Sequence, residues 1–135
     1  MNTLEQLREH SIVVADTADF HAIETFKPVD ATTNPSLILK QAQSAVTAGL
    51  ITETKLGLKT GRFSSAAEAA LDLSVRFGVE IAQRIEGYVS TEVDARLSFN
   101  TARSIEQAHL ILQKYQAFGI SQDHFPNAGK NCEAV

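Results

Sequence analysis

The chain has 135 residues, the length of one domain, and its 44% hydrophobic content is enough for a core and excludes wholesale disorder. Twelve Lys and Arg against sixteen Asp and Glu leave a net charge of -4, without the basic excess that a nucleic-acid backbone demands. A single Cys excludes an internal disulfide framework, Met1–Glu5 lacks the order of a signal peptide, and no apolar run approaches the ~18 residues of a membrane span. The expectation is a soluble, cytoplasmic, mildly acidic chain with no nucleic-acid or membrane partner.

Thr3 and Gln6 have capping-box spacing and Leu4 shares a face with Leu7, which predicts a short opening helix. Ile12, Val13, Val14 and Ala15 then run straight into Asp16, the pattern of a strand buried on both faces. A polar stretch follows, and Asp30–Thr33 reads as a second short strand. It stops at Asn34-Pro35, where Asn can cap a helix and Pro suits its first turn. Leu37, Ile38 and Leu39 open a helical region with expected interruptions at Gly49, Gly57 and Gly61, and Thr54 to Arg62 reads as a solvated loop. Ser65 and Glu68 form a capping box for a longer helix carrying Ala67, Leu71, Val75, Gly78, Ala82 and Ile85, with Gly87 as its stop. Tyr88 to Asp94 alternates, with Thr91 and Val93 on one face and Ser90 and Glu92 on the other. A last helix runs from Thr101 to Phe118 on the stripe Ile105, Ala108, Leu112 and Tyr115, and Gly119 closes it. Strands separated by helical segments predict an α/β fold with parallel strands. Residues 124–135 have no period, and Pro126 and Gly129 break either kind of element.

The strand ends gather the polar groups: Asp16 after the first, Thr32 and Asn34 at the second, Glu92 late in the third. Parallel α/β sheets collect functional groups at these carboxyl ends. Two carboxylates there can do acid–base work, and an amide beside them can hold a hydroxyl or carbonyl. From the residues alone, Asn34 is first a helix cap and Glu92 first a residue on a wet strand face. Asp16 is the best single candidate, with a turn or cap role as its equal alternative. His10, His21, His109, His124 and Cys132 have no metal-ligand spacing, so no metal site is expected.

Three segments carry a resemblance: Val13-Val14-Ala15-Asp16-Thr17, then Asp30-Ala31-Thr32-Thr33-Asn34-Pro35-Ser36-Leu37, then Ser90-Thr91-Glu92-Val93-Asp94-Ala95-Arg96-Leu97-Ser98. Together they closely resemble transaldolase over roughly residues 3 to 123. The resemblance implies a (β/α)8 barrel, of which this chain would supply about the first three strands and their helices. It also implies transfer of a dihydroxyacetone unit between sugar phosphates through a lysine Schiff base, in the non-oxidative pentose phosphate pathway, without metal or diffusible cofactor. Matched motif to motif, Asp16 falls on the proton-transferring aspartate and Glu92 on the glutamate that works through a water. Asn34 falls on the asparagine that holds the dihydroxyacetone unit, with Thr32 beside it.

The resemblance ends where the family continues into the strand that bears its nucleophilic lysine. Without gaps that position falls on Ala128, and no lysine matches it; Lys130 follows Gly129 in an irregular segment. The expected organisation is therefore a barrel segment over residues 1–123 and a divergent tail over 124–135, inactive by itself. Unclosed sheet edges could pair with a second copy of the chain or with full-length subunits. They would also leave Val13, Val75 and Ile111 only partly buried.

Overall fold

The computed structural model describes residues 1–120. Helix α1 (Thr3–His10) starts one residue earlier than its expected box. Asn2 Oδ1 accepts from Glu5 N at 2.9 Å, and Glu5 Oε2 accepts from Asn2 N at 2.7 Å. The Asn–Glu pair caps here in place of Thr3 and Gln6, because a carboxylate is the stronger acceptor for the backbone N–H. No residue of this helix is buried, and Arg8 ties it down by donating to the carbonyls of Phe26 and Lys27.

Strand β1 (Val14–Asp16) is followed by helix α2 (Phe20–Phe26), which occupies the stretch that read as merely polar. Asp19 accepts from the N–H groups of His21 and Ala22, while Phe20 and Ile23 bury one face. Strand β2 (Asp30–Thr33) leads into α3 (Pro35–Gln41), capped as expected by Asn34 Oδ1 on Leu37 N at 3.0 Å. A 3₁₀ turn (Ala45–Thr47) leads to α4 (Ala48–Lys59), which runs unbroken through Gly49 and Gly57. The expected loop from Thr54 is thus helical as far as Lys59, and Thr54 and Gly57 are buried. A Cβ on Gly57 would come within 2.5 Å of the Phe63 ring, so this glycine admits a neighbour and breaks nothing. The chain turns at Gly61, whose φ is +74°.

Helix α5 (Ala66–Ala82) starts at Ser65, which accepts from Glu68 N, while the Glu68 carboxylate reaches back one residue further to Ser64. It ends before Ile85, and Gly87 is not its stop. A Cβ on Gly87 would lie 2.0 Å from Asp30 Oδ1 and 2.7 Å from the Val29 carbonyl, so the glycine lets two strands begin side by side. Strand β3 (Val89–Thr91), a 3₁₀ turn (Ala95–Leu97) and α6 (Thr101–Ala117) complete the described residues. The α6 stripe is rotated from the expected one, since Ile111 is buried and Ile105 is 54% exposed.

Among the described residues the sheet has three parallel strands in the order β1-β2-β3. Ala15, Ala31 and Val89 form one register row and face the helices. There they join Ala18, Phe20, Ile23, Ile38, Phe77 and Ile81 in the larger core, with the Phe20 and Phe77 rings 5.6 Å apart. The other flank of α5 packs Val75 and Val79 against Ile111 of α6. Val75 and Ile111 are therefore buried, contrary to expectation, because the α5–α6 interface does not depend on barrel closure; Val13 is half-buried. The first strand also departs from its expected burial on two faces. It lies at the sheet edge, and Ile12 and Val14 are 69% and 49% exposed. The parallel α/β segment matches part of the expected barrel. The tail, with Ala128, Lys130 and Cys132, lies outside the described residues.

Candidate active site

Alternation along the strands sends every second side chain to the face away from the helices. The register aligns Asp16, Thr32 and Ser90 in one row, and Asn34 and Glu92 each lie one residue beyond the Thr33–Thr91 pair. All five line an open cleft of about 440 Å³ that runs along this face, from Val14, Asp30 and Tyr88 at the amino ends of the strands to Asn34 and Glu92 just past their carboxyl ends. The four residues selected from the sequence therefore line one cleft.

Thr32 Oγ1 donates to Asp16 Oδ1 at 3.1 Å, which orients the carboxylate and leaves its other oxygen to the cleft. Asn34 both lines the cleft and caps a helix. Its Oδ1 caps α3, and that bond fixes the amide plane so that the Nδ2 donor is held rather than free to rotate. Glu92 is exposed, at the rim shared with a second cavity of about 520 Å³ between α5, α6 and the turn after β3. That turn is pinned at several points. Asp94 N donates to Gln107 Oε1 at 2.5 Å, Ser104 Oγ donates to the Leu97 carbonyl, and the Arg96 guanidinium grips Asp94. Hydrogen bonds from the Arg96 guanidinium, and then from its backbone N–H, hold the Asp94 carboxyl down to about 2.

Six further residues, Val14, Asp30, Thr33, Tyr88, Ser90 and Thr91, line the cleft without having been selected from the sequence. Ser90 could have been found, since it alternates with Glu92, but its place beside Thr32 is a matter of register. Asp30 also lines the cleft, although its Oδ1 is engaged at 2.7 Å by Tyr88 N and serves to start β3 beside β2. None of Lys27, Lys40, Lys55, Lys59 and Lys114 lines the cleft, and Lys114 is paired with Asp72 at 3.2 Å. The cleft thus offers carboxylates, hydroxyls and one amide, a set suited to gripping a polyol and moving protons. Among the described residues no group of three His, Cys, Asp or Glu side chains is arranged to hold a metal ion. None of their helices is long and apolar enough to cross a membrane.

The same stretch of chain is what known proteins match. The family model for transaldolase/fructose-6-phosphate aldolase covers residues 13–125. A transaldolase of Methylococcus capsulatus is 51% identical over 128 residues, and one of Nostoc punctiforme is 49% identical over 128. Another from Shewanella amazonensis is 48% identical over 124 residues. Each match takes in 90% of this chain but only 38–39% of the relative, so the chain spans less than half the length of these proteins. With β1, β2, β3 and the whole cleft inside the matched span, the chain belongs to the transaldolase/fructose-6-phosphate aldolase family.

Proposed function

We propose that the cleft is part of a transaldolase site. In that reaction a dihydroxyacetone unit passes from sedoheptulose 7-phosphate to glyceraldehyde 3-phosphate, giving erythrose 4-phosphate and fructose 6-phosphate. The observation that carries the reading is the convergence of Asp16, Thr32, Asn34 and Glu92, in or just past the carboxyl halves of parallel strands, in one cleft on the sheet face away from the helices. Asn34 Nδ2 holds a hydroxyl of the dihydroxyacetone unit. Glu92 works through a water as the Schiff base forms and breaks. Asp16, steadied by Thr32, takes the hydroxyl proton when the carbon–carbon bond opens.

A Schiff base needs a neutral amine at the carbonyl carbon, and a solvated lysine, with a pKa near 10.4, is mostly protonated at neutral pH. No lysine of the described residues lines the cleft, and extending the resemblance without gaps past the matched residues 13–125 would set the family's lysine position at Ala128. The 135-residue polypeptide by itself is therefore a ketose-binding half-site without its nucleophile. Residues that act as a unit lose their contributions together, so turnover is expected to be absent and not merely slow. Mixing the chain with fructose 6-phosphate, reducing with borohydride and weighing it intact tests this. An unchanged mass is expected, and a stoichiometric adduct on Lys130 would overturn the inactive reading.

A second, non-catalytic reading is favoured by the edges of β1 and β3, which pair with no further strand among the described residues. Such edges suit docking to another copy or to a full-length subunit. Co-expression with a full-length transaldolase and pull-down tests it, and recovery of chaperones alone would refute it.

A further inference from the structure

The geometry points to Tyr115 as a positioning residue that sets the facing of Glu92 through Thr91; this rests on the site role proposed above for Glu92. Glu92 is the first residue past the β3 ladder, where backbone pairing no longer dictates which way a side chain turns. Its two neighbours do so instead. Thr91 Oγ1 and the Tyr115 hydroxyl lie 2.5 Å apart, and Val93 packs on the Val75, Val79 and Ile111 cluster together with Tyr115. With residues 91 and 93 both held on the helix side, strand alternation sends Glu92 into the cleft. A slip of one residue would reverse all three.

The reach of Tyr115 depends on Gly78. A Cβ at this buried position in α5 would lie 1.7 Å from the Tyr115 hydroxyl and 3.2 Å from Thr91 Oγ1. The backbone of Gly78 is not in the left-handed region, so conformational freedom does not account for it. A glycine inside a seventeen-residue helix is intrinsically unfavourable. Here it opens a notch through which α6 bonds to the sheet directly behind Glu92. General acid–base work needs its carboxylate held to a fraction of an ångström, and an exposed residue beyond a ladder lacks that precision unless its flanks supply it.

Backbone relaxation by NMR on the full 135-residue chain tests the role in Tyr115→Phe, Thr91→Val and Thr91→Ser. The first two delete a hydroxyl, and the third keeps it. In the deleted variants the Glu92 amide order parameter should fall from about 0.85 towards 0.6, while Asp16 keeps its value. Thr91→Ser should restore Glu92. Unchanged order at Glu92 in both deleted variants would overturn the proposal. So would equal loosening at Asp16, or a failure of both deleted variants to fold, since each marks a general fold determinant. These readouts use no sugar. The transaldolase reading fails separately, if fructose 6-phosphate leaves the resonances of Asp16, Asn34 and Glu92 unmoved in the unsubstituted chain.

Discussion

The two faces of the sheet come from one alternating chain and follow opposite rules. Behind the strands, Ala15, Ala31 and Val89 meet Phe77 and Ile81 in a dry core, and small strand residues let large helix residues approach. In front, Val14, Asp16, Thr32, Ser90 and Glu92 border an open cleft with neighbours that are polar and sparse. The rear face holds the strands in register, and the front face presents what that register aligns. Stability should therefore reside behind the sheet, and chemistry in front of it.

The largest expected effect comes from the rear. Phe77→Ala should remove about 3–5 kcal/mol, because the ring is fully buried and the surrounding core can close only in part. Val14→Ala on the front should change stability by less than about 1 kcal/mol, since half of that side chain is already wet. Urea unfolding of both variants checks the contrast, and equal losses would break it. Gly78→Ala is expected to cost about 1–3 kcal/mol by driving the Tyr115 ring out of its notch. Gly49→Ala, with open space around its Cβ, should gain up to about 1 kcal/mol through helix propensity. Thermal melts of the two variants should move in opposite directions.

A finer test lies within the rear face, where Thr33 and Thr91 are register partners. Thr91 is bonded to Tyr115, whereas Thr33 Oγ1 is buried without a hydrogen-bond partner among the described residues. Thr33→Val should stabilise by about 1 kcal/mol, and Thr91→Val should destabilise by a similar amount. The denaturation midpoints of the two variants should shift with opposite signs.

The smallest effect belongs to the turn after β3, outside the front cleft. Asp94 titrates near 2 in the folded chain against an ordinary 3.8. Its contribution is therefore fully present above pH 3.8 and disappears as the pH falls through 2. The pair is solvated, so the contribution to stability is small. Arg96→Ala should return the Asp94 midpoint towards 3.8 in a carboxyl-carbon NMR titration. It should barely move the melting temperature at neutral pH.

What local sequence could reveal follows the same division. Asp16, Thr32, Asn34 and Glu92 stand out as strand-end polar residues, but local pattern alone reads Asn34 as a cap and Glu92 as a wet strand residue, and only the family resemblance puts both in a site. Alternation puts Ser90 on the face of Glu92, but its place beside Thr32, like that of Asp30 beside Tyr88, depends on pairings that no local pattern encodes. The first strand announced itself by its apolar run, but such a run does not reveal whether a neighbour covers it, and Val14 proved half exposed. Helix α2 was missed although Asp19, Phe20 and Ile23 have the spacing of a cap and a buried face, because Thr, Glu and His dilute its apolar content. Glycines were the most misleading. Gly57 and Gly87 looked like breaks and Gly78 like part of a stripe, yet all three admit a side chain or backbone from elsewhere. Close approach is a tertiary fact.

The Asp30–Tyr88 bond bears on how the site assembles in time. It joins residues 58 apart, whereas the Thr32–Asp16 bond joins residues 16 apart. Loop-closure entropy grows slowly with length, about 0.6 kcal/mol per doubling, so the longer closure costs the finished structure little more than the shorter one. Its effect on rate is larger, because distant pairings form late. The unit of β1, α2 and β2 can condense early and bring Asp16, Thr32 and Asn34 together. Glu92 arrives only when α5 has packed and β3 has docked. An interrupted folding reaction would therefore leave an amide and one carboxylate in place, with the second carboxylate still in solvent.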